Sequence, residues 1–259
     1  MAQFEGIALK KQFGQHFLKE QWVIDSILKN VELTNTTSVF EIGGGSGFLT
    51  KSILSKNIAR LWVFEIDKDW VDFLNKNLSD VRLTVYHENI LDVNFERFEE
   101  NKPWTLLSNL PYQITFPFLY LLQKNMHLLK EGVIMIQEEV AQKLLKKSGK
   151  DYGYASLFFQ YNFDMKLLDK IPPTAFNPPP KVYSRLLYFK PKIDKAVISN
   201  EEQFWKFIKA AFKSPRRTLR NNLSSLSFDL TKLSTETLQL RAQQLDFNSL
   251  LKIWQTLSI

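Results

Sequence analysis

The stretch that decides the fold reads, in order, Ser38-Val39-Phe40-Glu41-Ile42-Gly43-Gly44-Gly45-Ser46-Gly47. Its first half is a short apolar run that predicts a buried strand, and its second half is a glycine-rich turn. Apolar residues at helical spacing follow between Phe48 and Leu54. Strand, glycine-rich turn and helix open the βαβ unit that binds nucleotides, because glycines let the backbone approach a ligand and the helix N-terminus offers free N–H groups.

A second predicted strand, residues 61–64, ends at Glu65, 18 positions beyond Gly47. An acid at this position can bind two ribose hydroxyls. Two ligand classes fit, a dinucleotide and S-adenosylmethionine. The glycines follow the pattern Gly-x-Gly-x-Gly, whereas dinucleotide sites have Gly-x-Gly-x-x-Gly. Glu41 would repel a phosphate and attract a sulfonium or an amino group, so the turn favours the methyl donor.

Three more strands are predicted at residues 81–86, at 104–107 leading into Asn109, and at 132–136. They alternate with helices, which predicts an α/β fold with a mostly parallel, doubly wound sheet. Ligands bind at the carboxyl edge of such a sheet, where Gly43, Glu65, Asn89 and Asn109 follow successive strands. Asn89 can meet an adenine amine there, because its side chain accepts hydrogen bonds.

The quartet Asn109-Leu110-Pro111-Tyr112 stands at the exit of the fourth predicted strand. It suits the binding of a planar amine, with one hydrogen on the Asn109 oxygen, the other on a backbone carbonyl such as that of Leu110, and the Tyr112 ring stacked on the base. Pro111 makes the turn stiff because it fixes φ and has no N–H. The alternative is an ordinary strand-to-helix turn with nothing bound.

Residues 171–184 hold five prolines within nine positions, so we expect a stiff, extended loop that cannot form a helix. Phe176 lies inside this segment, where burial is hard to arrange. A rigid loop that presents an aromatic ring suits base stacking, worth about 1–3 kcal/mol per base. The alternative is a Phe176 ring that packs against the edge of the sheet.

The chain has a net charge of +7, and most of the excess lies near its C-terminal end. Residues 1–190 carry 23 Lys/Arg and 21 Asp/Glu, whereas residues 191–259 carry 11 and 6. After a linker at 191–200, amphipathic patterns predict a small all-helical domain in which Arg216, Arg217 and Arg220 group together. Such a surface suits a polyanionic partner, because Lys and Arg release counterions from phosphates; a solvated basic surface is the alternative.

Composition excludes several classes of protein. The chain has no cysteine, which rules out disulfides and thiolate chemistry, and its three histidines, His16, His87 and His127, show no metal-ligand spacing. We therefore expect no metal. No apolar run approaches the roughly 18 residues that span a bilayer, and no secretory signal is recognisable. We expect a cytoplasmic monomer without a membrane partner.

Five motifs occur in the order in which one known family has them. They are Phe13-Gly14-Gln15-His16-Phe17-Leu18, the stretch 41–47, the quartet 109–112, the run 173–184 and Arg216-Arg217-Thr218-Leu219-Arg220-Asn221. Over essentially its whole length, the chain resembles the ribosomal RNA adenine dimethyltransferases, most closely the bacterial KsgA type. The resemblance implies a Rossmann-like S-adenosylmethionine-dependent methyltransferase domain at residues 1–190, with an N-terminal arm at 1–18, and a helical RNA- and ribosome-binding domain at 191–259.

The resemblance also implies an activity: dimethylation of the exocyclic N6 amines of two adjacent adenines near the 3′ end of small-subunit (16S) rRNA, during ribosome biogenesis. S-adenosylmethionine would be the donor and the small ribosomal subunit the partner. Carried over to this sequence, the donor-binding residues are His16, Leu18, Gly43, Gly45, Glu65, Asn89 and Asn109. The catalytic set is Asn109, Leu110, Pro111, Tyr112 and Phe176, and the RNA-binding set is Lys181, Arg216, Arg217 and Arg220.

Within the donor site, His16 and Leu18 would border the methionine part and Gly43 would lie under it. Glu65 would hold the ribose, Asn89 would meet the adenine, and Asn109 would face the reacting amine. Tyr112 and Phe176 would stack on the flipped-out base.

Four positions depart from the family pattern. His16 stands where the family usually has Asn, but His still donates one hydrogen bond. Asn89 replaces the usual Asp, so it still accepts from an adenine amine without carrying a charge. Pro215 replaces a basic residue and removes one phosphate contact. Gly44 stands where relatives often have Pro, a change expected only to loosen the turn.

Three other functions remain open. A macrolide-resistance type methylase, acting on large-subunit rRNA, would share the donor site and the quartet, so only the helical domain separates it. A non-catalytic assembly or transcription factor on the same fold would not need the intact quartet. A dinucleotide oxidoreductase would need a hydride-handling His or Tyr–Lys pair, and none can be placed in this sequence.

Overall fold

The computed structural model describes residues 3–224 and 226–258. Its strands, in chain order, are β1 Gln3–Phe4, β2 Ile7–Ala8, β3 Phe17–Leu18, β4 Ser38–Ile42, β5 Arg60–Glu65, β6 Leu83–His87, β7 Trp104–Asn109, β8 Leu129–Gln137, β9 Phe163–Ile171, β10 Phe176–Asn177 and β11 Ser184–Pro191. Its α-helices are α1 Gln21–Lys29, α2 Phe48–Leu54, α3 Lys68–Asn77, α4 Thr115–Lys124, α5 Glu138–Leu144, α6 Tyr154–Asn162, α7 Glu201–Ala211, α8 Leu219–Leu223, α9 Thr235–Gln239 and α10 Phe247–Ser258.

Seven strands form the central sheet, in the order β6-β5-β4-β7-β8-β11-β9. Parallel pairs join β6 to β5, β5 to β4, β4 to β7 and β7 to β8, and β11 runs antiparallel to β8. The prediction of a mostly parallel, doubly wound α/β sheet is therefore confirmed. The chain moves outward in one direction from β4 to β6 and then returns to β7 on the other side. Ligands bind at such a reversal in strand order.

The alternation of side chains along β4 separates the core into two layers. All five residues of β4 are buried, as an apolar strand covered on both faces must be. Val39 belongs to an aliphatic layer with residues of α1 and α2, such as Ile27 and Ile53. Phe40 belongs to an aromatic layer, with its ring centroid 4.4 Å from Trp104 and 5.3 Å from Phe64. Burying one such large apolar side chain contributes about 1.5–3 kcal/mol, so β4 is firmly anchored.

Some boundaries differ from the sequence prediction. The strand predicted at residues 81–86 is β6, and it begins at Leu83, because Val81 is fully exposed and lies outside the sheet. The sequence predicts a helix from Glu138 to Lys147, but in the structure this helix ends at Leu144. The aromatic-rich segment 154–163 is typical of a helix or of a helix that leads into a strand. The structure ends that helix at Asn162 and continues the chain as a nine-residue strand.

The chain divides into two compact units. The first unit combines the residues up to Ala141 with Met165–Pro191, and the second combines Gln142–Asp164 with the residues from Lys192 onward. The sequence predicts a boundary after residue 190; here the first unit ends at Pro191, and residues 142–164 belong to the second unit. The reason is aromatic packing: Phe158 and Tyr161 of α6 contact Trp205 of α7, with ring centroids 5.0 and 5.4 Å apart.

The second unit is largely helical. It contains α6 to α10, whose buried side chains include Phe204, Phe207 and Ile208 of α7 and Leu250 and Trp254 of α10. Across the described parts of both units, none of the helices combines the length and the apolar character that a bilayer crossing requires.

Candidate active site

A cavity of about 340 Å³ opens at the carboxyl edge of the sheet in the first unit. Such a volume is typical of small-molecule sites. Its walls come mainly from segments within residues 12–18, 41–49, 64–66, 88–91 and 109–114. The structure brings together the following predicted site residues in this cavity: His16, Leu18, Gly43, Gly45, Glu65, Asn89, Asn109, Leu110, Pro111 and Tyr112.

The glycine-rich turn between β4 and α2 needs glycine for two physical reasons. Gly43 has a φ of +75°, in the left-handed region that side chains rarely adopt. At Gly44, an added Cβ would lie 2.5 Å from Val63 Cγ1 and 2.8 Å from Leu74 Cδ1. The sequence predicted that glycine at position 44 only loosens the turn. In the structure, β5 and α3 fill the space that a larger residue would need, so here glycine tightens the packing.

Glu65, at the end of β5, is held rigidly at the rim of the cavity. One carboxylate oxygen accepts a hydrogen bond from Gly45 N at 3.0 Å, and the other accepts from Asp67 N at 2.9 Å. Burial raises the pKa of this carboxyl above its ordinary value. Each oxygen retains a second lone pair, so both can also accept from the hydroxyls of a bound sugar.

Glu41 is the most buried acid of the cavity wall, with 1% of its surface exposed. Its Oε2 has no hydrogen-bond partner among the described residues. Burial raises the pKa of Glu41 to about 8. A buried carboxylate oxygen without a hydrogen-bond partner is costly when the group is charged, and a cationic ligand group would offset that cost.

Asn109 ends β7 and is oriented by the N-terminal segment. Its Nδ2 donates to His16 O at 3.1 Å, and no hydrogen bond to its Oδ1 is found among the described residues. The assignment of oxygen and nitrogen follows from this contact, because a carbonyl can only accept. Leu110 N donates to Met135 O of β8 at 3.2 Å, which fixes the turn that follows. The Asn109 oxygen is therefore the acceptor that remains for a ligand.

Tyr112 is held from the other side of the turn. Its hydroxyl shares a hydrogen bond of 2.6 Å with Ser184 Oγ, at the start of β11. Burial raises the pKa of Tyr112, so the phenol stays neutral at physiological pH. The ring centroid of Tyr112 lies 6.2 Å from that of His16, with the planes 28° apart. The quartet is thus a braced turn whose aromatic ring lines the cavity.

Asp67, which the sequence analysis did not assign to the site, ties the N-terminal segment to the cavity. Its side chain is fully buried and accepts from Lys10 Nζ at 2.5 Å and from Gln15 Nε2 at 2.8 Å. Its backbone N–H is the one that binds Glu65. In the sequence, the only nearby indication of this role is that Asp67 is an acid two positions after Glu65. Its partners lie 57 and 52 residues away in sequence, which pattern reading does not reveal.

Phe176 does not lie where the sequence predicts it, on a stiff loop that presents its ring to a base. It is 2% exposed and belongs to the aliphatic core, and it does not line the cavity. The expectation that burial is hard to arrange here is wrong, because β10 pairs with β3 and sets Phe176 opposite Leu18. A stacking role for Phe176 therefore has no support in this structure. The expectation of a wholly extended loop also fails, because Pro173–Ala175 forms a turn of 3-10 helix.

Asn89 lies on the cavity wall, where the resemblance expected it to meet an adenine. Its side chain is already engaged: Oδ1 accepts from Leu91 N at 3.2 Å, and Nδ2 donates to Asp92 Oδ2 at 2.8 Å. The amide caps a short 3-10 turn that begins at Ile90. A contact with an adenine amine would use the remaining lone pair of Oδ1.

The predicted RNA-binding residues lie on the surface. Lys181 is exposed in the first unit, and Arg216, Arg217 and Arg220 are exposed in the second. The arginines lie in the turn between α7 and α8 and in the first residues of α8. Buried Asn222 supports this turn, because its Nδ2 donates to Ala211 O at 2.8 Å and to Ser214 O at 3.1 Å. In the described part of the chain, no cluster of His, Asp and Glu could hold a metal ion.

The chain matches a family model described as "Ribosomal RNA adenine dimethylase", over residues 6–255. Among named relatives, "Ribosomal RNA small subunit methyltransferase A" of Syntrophotalea carbinolica is 37% identical over 229 residues, covering 87% of this chain and 86% of the relative. The protein of the same name from Chlorobium phaeobacteroides is 33% identical over 250 residues, covering 96% and 91%.

Two solved structures share the fold. A dimethyladenosine transferase from Plasmodium falciparum superposes with a TM-score of 0.78 and 22% identity, covering 92% of this chain and 96% of that one. The 23S rRNA methyltransferase ErmE superposes with a TM-score of 0.72 and 18% identity, covering 94% and 100%. These likenesses confirm the predicted Rossmann-like methyltransferase fold. At 22% and 18% identity they show the fold alone and do not identify the ribosomal subunit on which this chain acts.

Proposed function

The chain belongs to the ribosomal RNA adenine dimethylase family, and we propose that it methylates two adjacent adenines near the 3′ end of small-subunit (16S) rRNA at their N6 amines. The donor is S-adenosylmethionine, and the partner is the small ribosomal subunit. The relatives at 33–37% identity support the small subunit as the substrate. Both are named small-subunit methyltransferases, and this chain matches each of them over most of its length.

One observation carries the proposal: the donor cavity and an oriented amine acceptor occupy the same place. Asn109 lines the cavity, its Nδ2 is tied to His16 O at 3.1 Å, and its Oδ1 is left to accept a hydrogen bond. The exocyclic amine of adenine is a poor nucleophile, because its lone pair is delocalised into the ring. The Asn109 oxygen and the Leu110 carbonyl accept the two amine hydrogens and help pyramidalise the nitrogen, so that its lone pair is localised and can attack the methyl group.

The residues of the cavity fit a cationic, sugar-containing donor. The unpartnered Oε2 of Glu41 suits a positively charged group, and the Glu65 carboxylate suits ribose hydroxyls. When bound, S-adenosylmethionine supplies an electrophilic methyl group on a sulfonium. His16 and Leu18 enclose its methionine part, Gly43 and Gly45 let the backbone approach it, and Asn89 accepts from its adenine amine.

Positioning accounts for the catalysis by this chain, and no nucleophilic side chain is required. Tyr112, braced by Ser184, stacks on the flipped-out adenine and holds its amine against Asn109. Orientation of this kind contributes several kcal/mol, with about 7–11 kcal/mol as the limit for ideal alignment. The proton that the amine loses passes to water after transfer.

The test is methyl transfer from donor labelled in its methyl group, with undermethylated small and large ribosomal subunits as substrates. We expect label in small subunits, and primer extension on their RNA should stop at two adjacent adenines near the 3′ end. Label confined to large subunits would identify the macrolide-resistance type of methylase. Donor binding without any transfer would identify a non-catalytic assembly factor.

A further inference from the structure

The second unit contains a cavity of about 410 Å³ to which the proposed function assigns no ligand. It lies between residues of α6, the segment 192–196 and the first residues of α10. Its volume is in the range of sites that hold a small molecule or one unit of a polymer. We call it the lysine pocket, and the lining residues that matter here are Lys147, Tyr161, Lys192, Lys195, Asp246 and Phe247.

Positive charge converges on the lysine pocket. Three lysines line it against one carboxylate, Asp246, among the lining residues that the structure describes. That carboxylate is engaged at the start of α10, where Oδ1 accepts from Ser249 N at 2.8 Å. Lys192 Nζ lies 3.5 Å from the carbonyl oxygen of Gln160, a neutral group that does not cancel its charge. Lys195 Nζ also donates to Asn162 Oδ1 at 2.9 Å. The charged lining side chains thus carry a net positive charge, which favours a bound anion.

Aromatic rings line the pocket beside the ammonium groups. Phe247 is half-buried, and its ring lies against that of Tyr161 with centroids 5.6 Å apart and planes 22° apart. Lys195 Nζ lies 5.4 Å from the Tyr161 ring centroid. A nucleotide joins a flat ring to a phosphate, so it matches this wall better than an inorganic anion or an acidic peptide, which would use the lysines alone.

We propose that the lysine pocket binds one nucleotide of the RNA substrate, with its phosphate beside Lys147 and Lys192 and its base against Phe247. The identity of the ligand as RNA rests on the proposed function, but the pocket is separate from the donor cavity. The nucleotide bound here is a second contact that anchors the RNA; methyl transfer takes place on another nucleotide.

The experiment compares two double variants of the full-length protein. Lys147→Gln/Lys192→Gln removes two charges from the pocket, and Lys213→Gln/Lys252→Gln removes two charges from exposed lysines of the same unit outside it. Affinity for undermethylated small subunits, and for a labelled single-stranded RNA, is measured across a salt titration. We expect a loss of about tenfold or more for the pocket pair and of less than about threefold for the control pair, since only the pocket pair removes a specific phosphate contact.

Phe247→Leu separates base contact from charge. It retains an apolar side chain but removes the ring, so we expect about fivefold weaker binding with an unchanged salt slope. Adenosine monophosphate should compete with RNA for the wild-type protein and lose that effect in the pocket pair, whereas inorganic phosphate should compete more weakly.

Three outcomes would overturn the inference. Equal losses in the two lysine pairs would mean that only general electrostatic attraction is at work. A loss of subunit binding with retained affinity for free RNA would point to a ribosomal protein as the ligand. Failure of adenosine monophosphate to compete would exclude a nucleotide site. Methyl transfer by the wild-type protein is measured in parallel: if it fails, the proposed function fails, and if it succeeds while the two pairs behave alike, only the pocket assignment fails.

Discussion

The two compact units of this chain differ sharply in charge. The first unit holds 19 Lys/Arg and 19 Asp/Glu and is neutral, whereas the second holds 15 and 8 and carries all of the net charge of +7. This difference in net charge is larger than the difference between residues 1–190 and 191–259. The reason is that residues 142–164, with four lysines and two aspartates, belong to the second unit.

The units also differ in how they use their charges. In the first unit, Glu41, Glu65 and Asp67 are buried and held at fixed positions around a cavity. In the second, Arg216, Arg217 and Arg220 are exposed to solvent. Buried charges act over short distances with little screening, and exposed charges act over about a Debye length and weaken with salt. From this difference we expect the first unit to carry out the chemistry and the second to attract the RNA.

The largest expected effect is on the chemical step. Asn109→Ala should lower methyl transfer by about 100-fold or more, because the amine loses its oriented acceptor. Binding of small subunits should stay within about twofold of the wild type, since the second unit is untouched. Asn109→Asp is the matched variant, which keeps an acceptor oxygen but loses the donation to His16 O. A parallel loss of subunit binding would contradict the expectation that the first unit carries out the chemistry and the second attracts the RNA.

The next effect concerns the buried anchor of the N-terminal segment. Asp67→Asn should weaken donor binding by about 30-fold, because the neutral amide loses the ion pair with Lys10 and keeps only one of the two acceptor oxygens that bind Lys10 and Gln15, which loosens one wall of the cavity. Asp69→Asn is the control: Asp69 also pairs with Lys10, at 2.7 Å, but its side chain is 53% exposed. We expect at most a twofold change there.

Calorimetric titration with the donor measures both variants, and trypsin cleavage after Lys10 reports the release of the segment. Donor should protect the wild type from this cleavage but not Asp67→Asn. Equal behaviour of the two aspartate variants would show that the buried link is unimportant.

A third effect is a pH dependence that originates in Glu41. Its pKa is about 8 in the folded protein against an ordinary value of 4.5, so between these pH values the folded state keeps a proton that the unfolded state has lost. Folding stability should therefore fall by ~1.4 kcal/mol, about tenfold in the folding equilibrium, for each pH unit across that window, with no further change above it.

Glu41→Gln should remove this slope and stabilise the protein at pH 8, as measured by urea unfolding from pH 5 to 8.5. Glu65 acts in the same direction in both proteins, so the difference isolates Glu41. Glu100→Gln, at an exposed position, serves as the control. An unchanged slope in Glu41→Gln would contradict the assignment.

The smallest expected effect concerns the exposed arginines of the second unit and their attraction for RNA. Arg216→Gln/Arg217→Gln should weaken subunit binding about fivefold at low salt, with a smaller salt slope by about one unit for each lost phosphate contact. Lys56→Gln/Lys124→Gln removes the same charge from exposed positions of the neutral unit and should have little effect. Similar losses in both pairs would mean that net charge alone, wherever it lies, attracts the RNA.

Local patterns predicted the fold and most of the cavity wall. The stretch 38–47 contains its own strand, turn and helix start, and the strand ends at Glu65, Asn89 and Asn109 follow from the topology of a parallel sheet. What could not be predicted depends on pairing between distant segments. Phe176 is buried because β10 meets β3, and Asp67 is engaged because Lys10 and Gln15 fold back onto it.

The unit boundary is a third case of the same kind. Nothing in residues 142–164 marks them as part of the helical unit except the aromatic residues of α6. Their partner Trp205 lies more than 40 positions further along the chain.

The N-terminal wall of the donor cavity has a consequence for how the protein is made. Because a carbonyl can only accept, His16 Nδ1 donates to Pro178 O, at 2.8 Å and across 162 residues, and β3 likewise pairs with β10. Translation proceeds at about 5–20 residues per second, so the segment waits on the order of 10–30 s for this partner. A nascent chain has its glycine-rich turn and Glu65 well before that. The complete donor cavity exists only after most of the first unit has left the ribosome, which delays any use of the donor until late in synthesis.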